Sequence, residues 1–135
     1  VTSSVVTGET LAVRMEDDVV RVRQVTRRRA EELGFRLVDQ TKIVTAASEL
    51  ARNTLVHGGG GHVHLSVVQA ARPGLKLVFE DHGPGIPDVP RALQDGFTTG
   101  NGLGLGLSGS RRLMDEFSID TQPGAYTRIT VVKWL

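Results

Sequence analysis

Apolar residues first fall into a regular pattern at Leu11, Val13 and Met15, which alternate with polar neighbours through Glu16. A period of two predicts a strand over 11–16, and residues 1–9 before it read as a loose polar lead-in. The period then lengthens. Val19, Val22, Thr26, Ala30 and Leu33 recur at steps of three and four, which predicts a helix with Asp17 and Asp18 at its positive end and Gly34 as its stop. Ile43, Ala47, Leu50 and Thr54 predict a second helix, capped by Asp39, running to about Val56 and ended by Gly58, Gly59, Gly60 and Gly61. Alternation returns in Val63, Leu65, Val67 and in Leu75, Leu77, Phe79, two strands joined by the turn residues Arg72, Pro73 and Gly74. A third helix is predicted over about 107–117, then closing strands over 118–121 and 126–135 around Gln122, Pro123 and Gly124.

The order is strand, two helices, two strands, a glycine-rich stretch, helix and two strands. It implies an α+β two-layer sandwich: a mainly antiparallel sheet with helices on one face. The 135 residues make one domain, 1–135, with no internal linker or repeat. Sixteen Lys and Arg against fifteen Asp and Glu leave a formal charge of +1, which argues against a dedicated nucleic-acid or membrane-surface binder. Cysteine is absent, which removes disulfides, zinc-thiolate sites and thiol nucleophiles and fits a reducing cytoplasm. No apolar run approaches membrane-spanning length and no signal pattern opens the chain.

Three segments carry candidate chemistry. Glu49, Asn53 and His57 are spaced four apart and share a helix face, with Arg52 on its flank. Such a face is either a solvated polar stripe or a place where an amide oxygen and a carboxylate hold a hard cation such as Mg²⁺. Asp81 ends an apolar strand just before Gly83, Pro84 and Gly85. It is either part of a Gly-Pro turn or an acceptor for an exocyclic amine such as that of adenine. Gly100, Gly102, Gly104, Gly106 and Gly109 lead into a helix, as either a flexible linker or a phosphate cradle. The G-x-G-x-x-G spacing of Gly104, Gly106 and Gly109 lacks the βαβ context of a dinucleotide fold, and no Walker lysine follows.

Taken in order, Glu49–Asn53, Asp81-His-Gly83-Pro-Gly85 and Gly102-Leu-Gly104-Leu-Gly106 resemble the N, G1 and G2 boxes of the GHKL ATPase superfamily, which includes gyrase, Hsp90, histidine kinases and MutL. Within it the chain most closely resembles the small serine/threonine kinases of bacterial partner-switching modules, the stressosome switch kinases. Ser48–Asn53, Glu80–Asp88, Asp95–Thr99, Arg112–Ile119 and Lys133-Trp134 carry that likeness over roughly residues 10–135.

The resemblance implies a Bergerat ATP-binding fold with ATP and Mg²⁺ as cofactors. Glu49 would be the general base, Asn53 the Mg²⁺ ligand, and Arg52 a support for the phosphates or the base. Asp81 would take the adenine amine, with Gly83, Gly85 and Ile86 beside the purine. Gly102, Gly104 and Gly106 would form the phosphate lid together with Thr98 and Thr99. Thr127 matches the closing threonine that helps to hold adenine. Relatives usually have a glycine directly before that threonine. Tyr126 stands there instead, which implies a bulkier or rearranged adenine wall. The short lid implies weak nucleotide retention without a partner.

The implied activity is phosphoryl transfer to Ser or Thr of STAS-domain scaffold and antagonist proteins, and, on release, contact activation of a PP2C-type phosphatase. Two rival readings stand beside it. One is a non-catalytic, ATP-binding, anti-sigma-like regulator that sequesters its partner. The other is a detached histidine-kinase catalytic domain, which the absence of a phospho-acceptor hairpin disfavours. His62 and His64, and the arginines of the first helix, are read as surface residues or, for the arginines, a protein-docking face; Trp134 is read as core.

Overall fold

In the computed structural model, which describes residues 4–94 and 106–135, the two helical patterns become a helical hairpin laid across one face of a five-stranded sheet. The elements are β1 (Ser4–Val13), α1 (Glu16–Leu33), α2 (Leu37–Val56), β2 (Gly61–Gln69), β3 (Pro73–Asp81), α3 (Val89–Ala92), α4 (Gly106–Leu113), β4 (Glu116–Gln122) and β5 (Tyr126–Trp134). The strands lie in the order β1-β2-β3-β5-β4, and every neighbouring pair is antiparallel.

Alternation decides which face is covered. Val63 and Leu65 on β2, Leu75, Leu77 and Phe79 on β3, and Ile129 and Val131 on β5 point inward. They meet Val19, Val22 and Ala30 of α1 and Ile43, Ala47, Leu50 and Ala51 of α2 in one core. Burying a side chain of this size contributes about 1.5–3 kcal/mol, so the inner face fixes the strand register. The outer face carries His62, His64, Lys76, Glu80, Arg128 and Thr130 at the intervening positions.

Helix ends follow local chemistry. Asp18, not Asp17, does the capping: its carboxylate accepts the backbone N–H of Arg14 at 2.8 Å and of Met15 at 3.2 Å. Gly34 takes the left-handed conformation at φ 92° and closes α1. The second helix begins at Leu37, before the expected cap. Asp39 lies in its first turn, where a carboxylate still favours the dipole, while Gln40 makes the tight contact by donating to the Phe35 carbonyl at 2.8 Å.

Four expectations need correction. The lead-in over 1–9 is mostly strand, since β1 starts at Ser4 and pairs along its length with β2. It escapes a periodicity reading because Thr, Ser and Gly occupy much of this edge strand. The third helix stops at Leu113 instead of 117, because Asp115 already belongs to the sheet edge: its N–H donates to the Val132 carbonyl at 3.0 Å and its carboxylate accepts the Trp134 N–H at 2.7 Å. An unforeseen short helix, α3, forms where Asp88 caps Arg91 at 3.1 Å and Pro90 supplies a preset φ. Trp134 is half-buried on the outer face instead of in the core. It covers Gly74, its cross-strand partner, and donates its indole N–H to Glu116 at 2.6 Å.

Candidate nucleotide-binding site

The candidate residues gather where the C-terminus of α2 meets the end of the sheet. In α2, Leu50, Ala51 and Thr54 are buried and Thr54 returns its hydroxyl to the Leu50 carbonyl at 2.9 Å. That rotation of the helix leaves Glu49 and Asn53 half-buried on the flank. The helix then ends in glycines. His57 and Gly58 both donate to the Asn53 carbonyl, at 3.0 and 3.1 Å, and Gly60 donates to Thr54 at 2.9 Å. Gly59 and Gly60 need positive φ to do this, at 75° and 103°.

Gly58 brings the helix end against β3. A Cβ there would collide with the Asp81 carboxylate, and one on Gly83 would lie 2.6 Å from the Gly58 carbonyl oxygen. Asp81 itself is the last residue of β3, 7 % exposed, with its Oδ1 accepting the Gly83 N–H at 2.9 Å. Burial pushes its carboxyl above the ordinary 3.8, and the Gly83 hydrogen bond pulls only partly the other way.

Directly across from Asp81 stands Thr127 on β5, also 7 % exposed. Its Oγ1 lies 2.9 Å from Thr121 Oγ1, and the proton count settles who donates. Thr121 has one hydroxyl proton, given to the Tyr126 carbonyl at 2.8 Å, and it accepts the Ile86 N–H at 3.0 Å. Thr127 is therefore the donor to Thr121, and what its oxygen offers the site is an acceptor. Asp81 and Thr127 thus present two acceptors side by side, matched to the two N–H groups of an exocyclic amine and mismatched to a carbonyl.

The loop after Asp81 is tied to the β4–β5 turn. Gly124 N–H donates to the Pro84 carbonyl at 2.7 Å, and Gly85, at φ 75°, leaves a Cβ no room beside the Gln122 carbonyl, 2.5 Å away. Within the described residues Gly83 and Gly85 are therefore required by close approach of the chain to itself. Tyr126 does not crowd the face that carries Asp81 and Thr127, so the bulkier wall expected from its identity is not formed by its side chain there. Strand alternation turns it to the outer face, where its hydroxyl donates to Asp120 at 2.8 Å.

Arg52 points along the helix pair: its guanidinium lies 3.5 Å from Glu16 in the first turn of α1, and the side chain is 45 % exposed. Gly106 opens α4 at φ 68°, and the buried Ser108, Gly109 and Ser110 seat that helix against α2. Thr98, Thr99, Gly102 and Gly104 lie outside the described residues. His62 and His64 are engaged on the outer face, by Glu80 at 3.6 Å and Thr10 at 2.7 Å. Among the described residues no three His, Asp and Glu side chains gather as a metal cage. The Asn53 amide oxygen is a hard donor of the kind that Mg²⁺ takes beside waters and substrate phosphates.

Sequence reading missed Thr121 and Gly58. The turn at Gln122, Pro123 and Gly124 pairs residue 121 with 127, so the hairpin register held the signal for Thr121. Gly58 was hidden inside a glycine run read only as a helix stop.

Known proteins resemble this chain over most of its length. The family model described as histidine kinase-, DNA gyrase B- and HSP90-like ATPase matches residues 38–135. The chain is 48 % identical over 124 residues to the serine/threonine-protein kinase RsbT of Bacillus subtilis, covering 91 % of this chain and 93 % of that one. It is 30 % identical over 111 residues to an anti-sigma F factor of a Thermoanaerobacter species, covering 78 % of each. Among solved structures, the RsbU and RsbW domains of a Mycobacterium tuberculosis protein superpose with a TM-score of 0.66 at 19 % identity, covering 96 % of this chain and 33 % of that one. The SiaB–SiaC complex of Pseudomonas aeruginosa matches with a TM-score of 0.56 at 11 % identity, covering 97 % of this chain and 91 % of the other. With that family model matching residues 38–135 on this fold, the chain belongs to the histidine kinase-, DNA gyrase B- and HSP90-like ATPase family.

Proposed function

We propose that the chain is an ATP-dependent serine/threonine protein kinase of the partner-switching type. The observation that carries the nucleotide assignment is the opposed pair Asp81 and Thr127, two acceptors suited to an adenine amine at the end of the β3–β5 pair. The likeness to a serine/threonine-protein kinase over nearly the whole of both chains supports the transfer reaction.

In that reaction the substrate hydroxyl oxygen attacks the γ-phosphorus, its proton passes to Glu49, and the bond to the β–γ bridging oxygen breaks to release ADP. Such a transfer asks for positioning and charge neutralisation more than covalent chemistry. Asn53 would hold Mg²⁺, which supplies that neutralisation when bound. Arg52, exposed and paired only at 3.5 Å with Glu16, is free to swing toward phosphates at small cost. Thr98, Thr99, Gly102, Gly104 and Gly106 are assigned to the phosphate lid by resemblance.

The proposed substrates are Ser or Thr residues of STAS-domain scaffold and antagonist proteins, and the proposed second partner is a PP2C-type phosphatase activated by contact. Neither nucleic acid nor a membrane is part of this reading. No helix of the described residues is long and apolar enough to cross a membrane. The proposed location is the cytoplasm, where ATP and those partners would be met.

The test is incubation with Mg-ATP and the STAS-domain proteins encoded beside its gene, followed by phosphosite mapping by mass spectrometry. Acid-stable phosphoserine or phosphothreonine that disappears in Glu49→Ala supports the kinase. ATP binding and partner capture with no transfer would favour the sequestering regulator, a reading kept because of the likeness to anti-sigma F factors.

A further inference from the structure

One rung back from Asp81, the outer face of the sheet carries a charge ladder. His62, Glu80, Arg128 and Asp120 are successive cross-strand partners on β2, β3, β5 and β4. Arg128 Nε donates to Glu80 at 2.6 Å and its Nη1 to Asp120 at 3.1 Å. Glu80 also faces His62 at 3.6 Å. The Arg128 guanidinium lies 5.6 Å from the centre of the Tyr126 ring, whose hydroxyl is bound to Asp120.

The next rung, on the inner face, is Gly61, Asp81, Thr127 and Thr121. It is buried and hydrogen-bonded, but only Asp81, Thr127 and Thr121 contribute side chains to it, all of them polar. Gly61 contributes no side chain, and a Cβ there would collide with the Glu80 carbonyl. The strand β3 ends at Asp81, and glycines follow at 83 and 85. Glycine weakens a strand end, and a local loss of pairing at this rung would turn Thr127 away from Asp81 while the buried rungs keep their register.

We propose that Glu80 and Arg128 are positioning residues for base recognition, locking β3 against β5 so that Asp81 and Thr127 stay aimed at one exocyclic amine. The proposal rests on the reading of Asp81 and Thr127 as the amine acceptors. Neither Glu80 nor Arg128 faces the nucleotide side, so both act through the strand pair. Isolated exposed ion pairs contribute little. This one differs because Arg128 engages two carboxylates and a ring at once, and the Glu80 side chain is only 20 % exposed.

The experiment is calorimetric titration of the full chain with Mg-ATP and with the Mg complex of purine riboside triphosphate, which lacks only the amine. Wild type favours ATP. Glu80→Gln and Arg128→Gln lower that preference about two- to fivefold, the reach of one cross-strand charged pair, and leave purine riboside triphosphate affinity unchanged. Arg128→Lys, which keeps a charge but not the fork, recovers part of the preference. Asp115→Asn breaks the Lys133 ion pair on the far part of the same sheet, 3.4 Å in wild type, and serves as the control that loses stability but not preference. No preference in wild type overturns the amine-acceptor reading and the ladder with it. An intact preference in Glu80→Gln and Arg128→Gln overturns the ladder alone. An equal loss in Asp115→Asn also overturns it, by making the effect one of general strand stability.

Discussion

Asp81 and Thr127 sit directly opposite each other on β3 and β5, and both point into the same buried corner as acceptors. The Asp81 carboxylate has one oxygen occupied by the Gly83 N–H, and Thr127 has spent its proton on Thr121. What remains on both is lone pairs. A base edge that brings an amine satisfies them, and one that brings a carbonyl leaves acceptors facing an acceptor in a site with little water to compensate.

Asp81→Asn tests this directly. The Gly83 N–H at 2.9 Å will claim the amide oxygen, so the new NH₂ must take the place of the free carboxylate oxygen. A donor then faces the adenine amine. ATP affinity should fall by about 1–3 kcal/mol, roughly five- to 150-fold, while purine riboside triphosphate loses little. Titration calorimetry with the two nucleotides reads the difference; equal losses for both would remove Asp81 from base recognition.

Acid should expose the two neighbouring carboxylates with opposite signs. Burial raises the Asp81 carboxyl above 3.8, so the folded state holds that proton more tightly than the unfolded chain. Its contribution to stability is present at low pH and is lost as pH rises through the raised folded value. Arg128 holds Glu80 below its ordinary 4.5, so Glu80 stabilises the fold above that value and the contribution is lost as pH falls through the lowered one. Carbon-13 NMR titration of the side-chain carboxyls should therefore find Asp81 titrating above 3.8 and Glu80 below 4.5. Adenosine affinity should weaken mainly with the Asp81 midpoint, and by about a further two- to fivefold with the lower Glu80 one.

The alternation of Leu75, Leu77 and Phe79 and the spacing of Ile43, Ala47, Leu50 and Thr54 made the sandwich legible, because burial of one face leaves a period in the sequence. The site was legible for a different reason: Asp81 followed by Gly83 and Gly85 is short-range chemistry. What stayed hidden depends on partners far along the chain. The edge strand β1 reads Thr7, Gly8, Glu9 and Thr10 before Leu11, so its first half shows no apolar period, and which of Asp17 and Asp18 caps α1 is a one-residue matter of reach. Tyr126 illustrates the same limit. Its identity suggested a filled pocket, and only the strand parity against Asp120 shows that it faces the other way.

Gly85→Ala and Gly124→Ala separate backbone strain from collision. Both glycines have positive φ, 75° and 80°, and an alanine there costs about 1–2 kcal/mol. At Gly124 nothing lies within 4 Å of the added Cβ, whereas at Gly85 the Gln122 carbonyl oxygen is 2.5 Å away. Urea denaturation should therefore rank Gly85→Ala below Gly124→Ala in stability. Gly85→Ala should also weaken ATP binding, since it parts the loop from the β4–β5 turn that carries Thr121 and Thr127.

Glu49 and Asn53 lie one helical turn apart on α2 and, in the proposed reaction, divide the work of transfer. Both are half-buried on a helix whose next residue inward, Leu50, is fully enclosed, so the backbone that carries them is fixed by the core. Glu49→Ala removes the group proposed to accept the hydroxyl proton and leaves the Asp81–Thr127 corner untouched. ATP affinity should be kept while phosphoryl transfer slows by about 10²–10⁴, the usual worth of a general base. Asn53→Ala should lose productive use of Mg-ATP, with the loss seen already in nucleotide binding when magnesium is present. Single-turnover transfer from radiolabelled ATP to a STAS-domain protein, set beside calorimetry of the same variants, measures both. If Glu49→Ala transferred at the wild-type rate, the proton would have another acceptor and the role assigned to α2 would shrink to holding the phosphates.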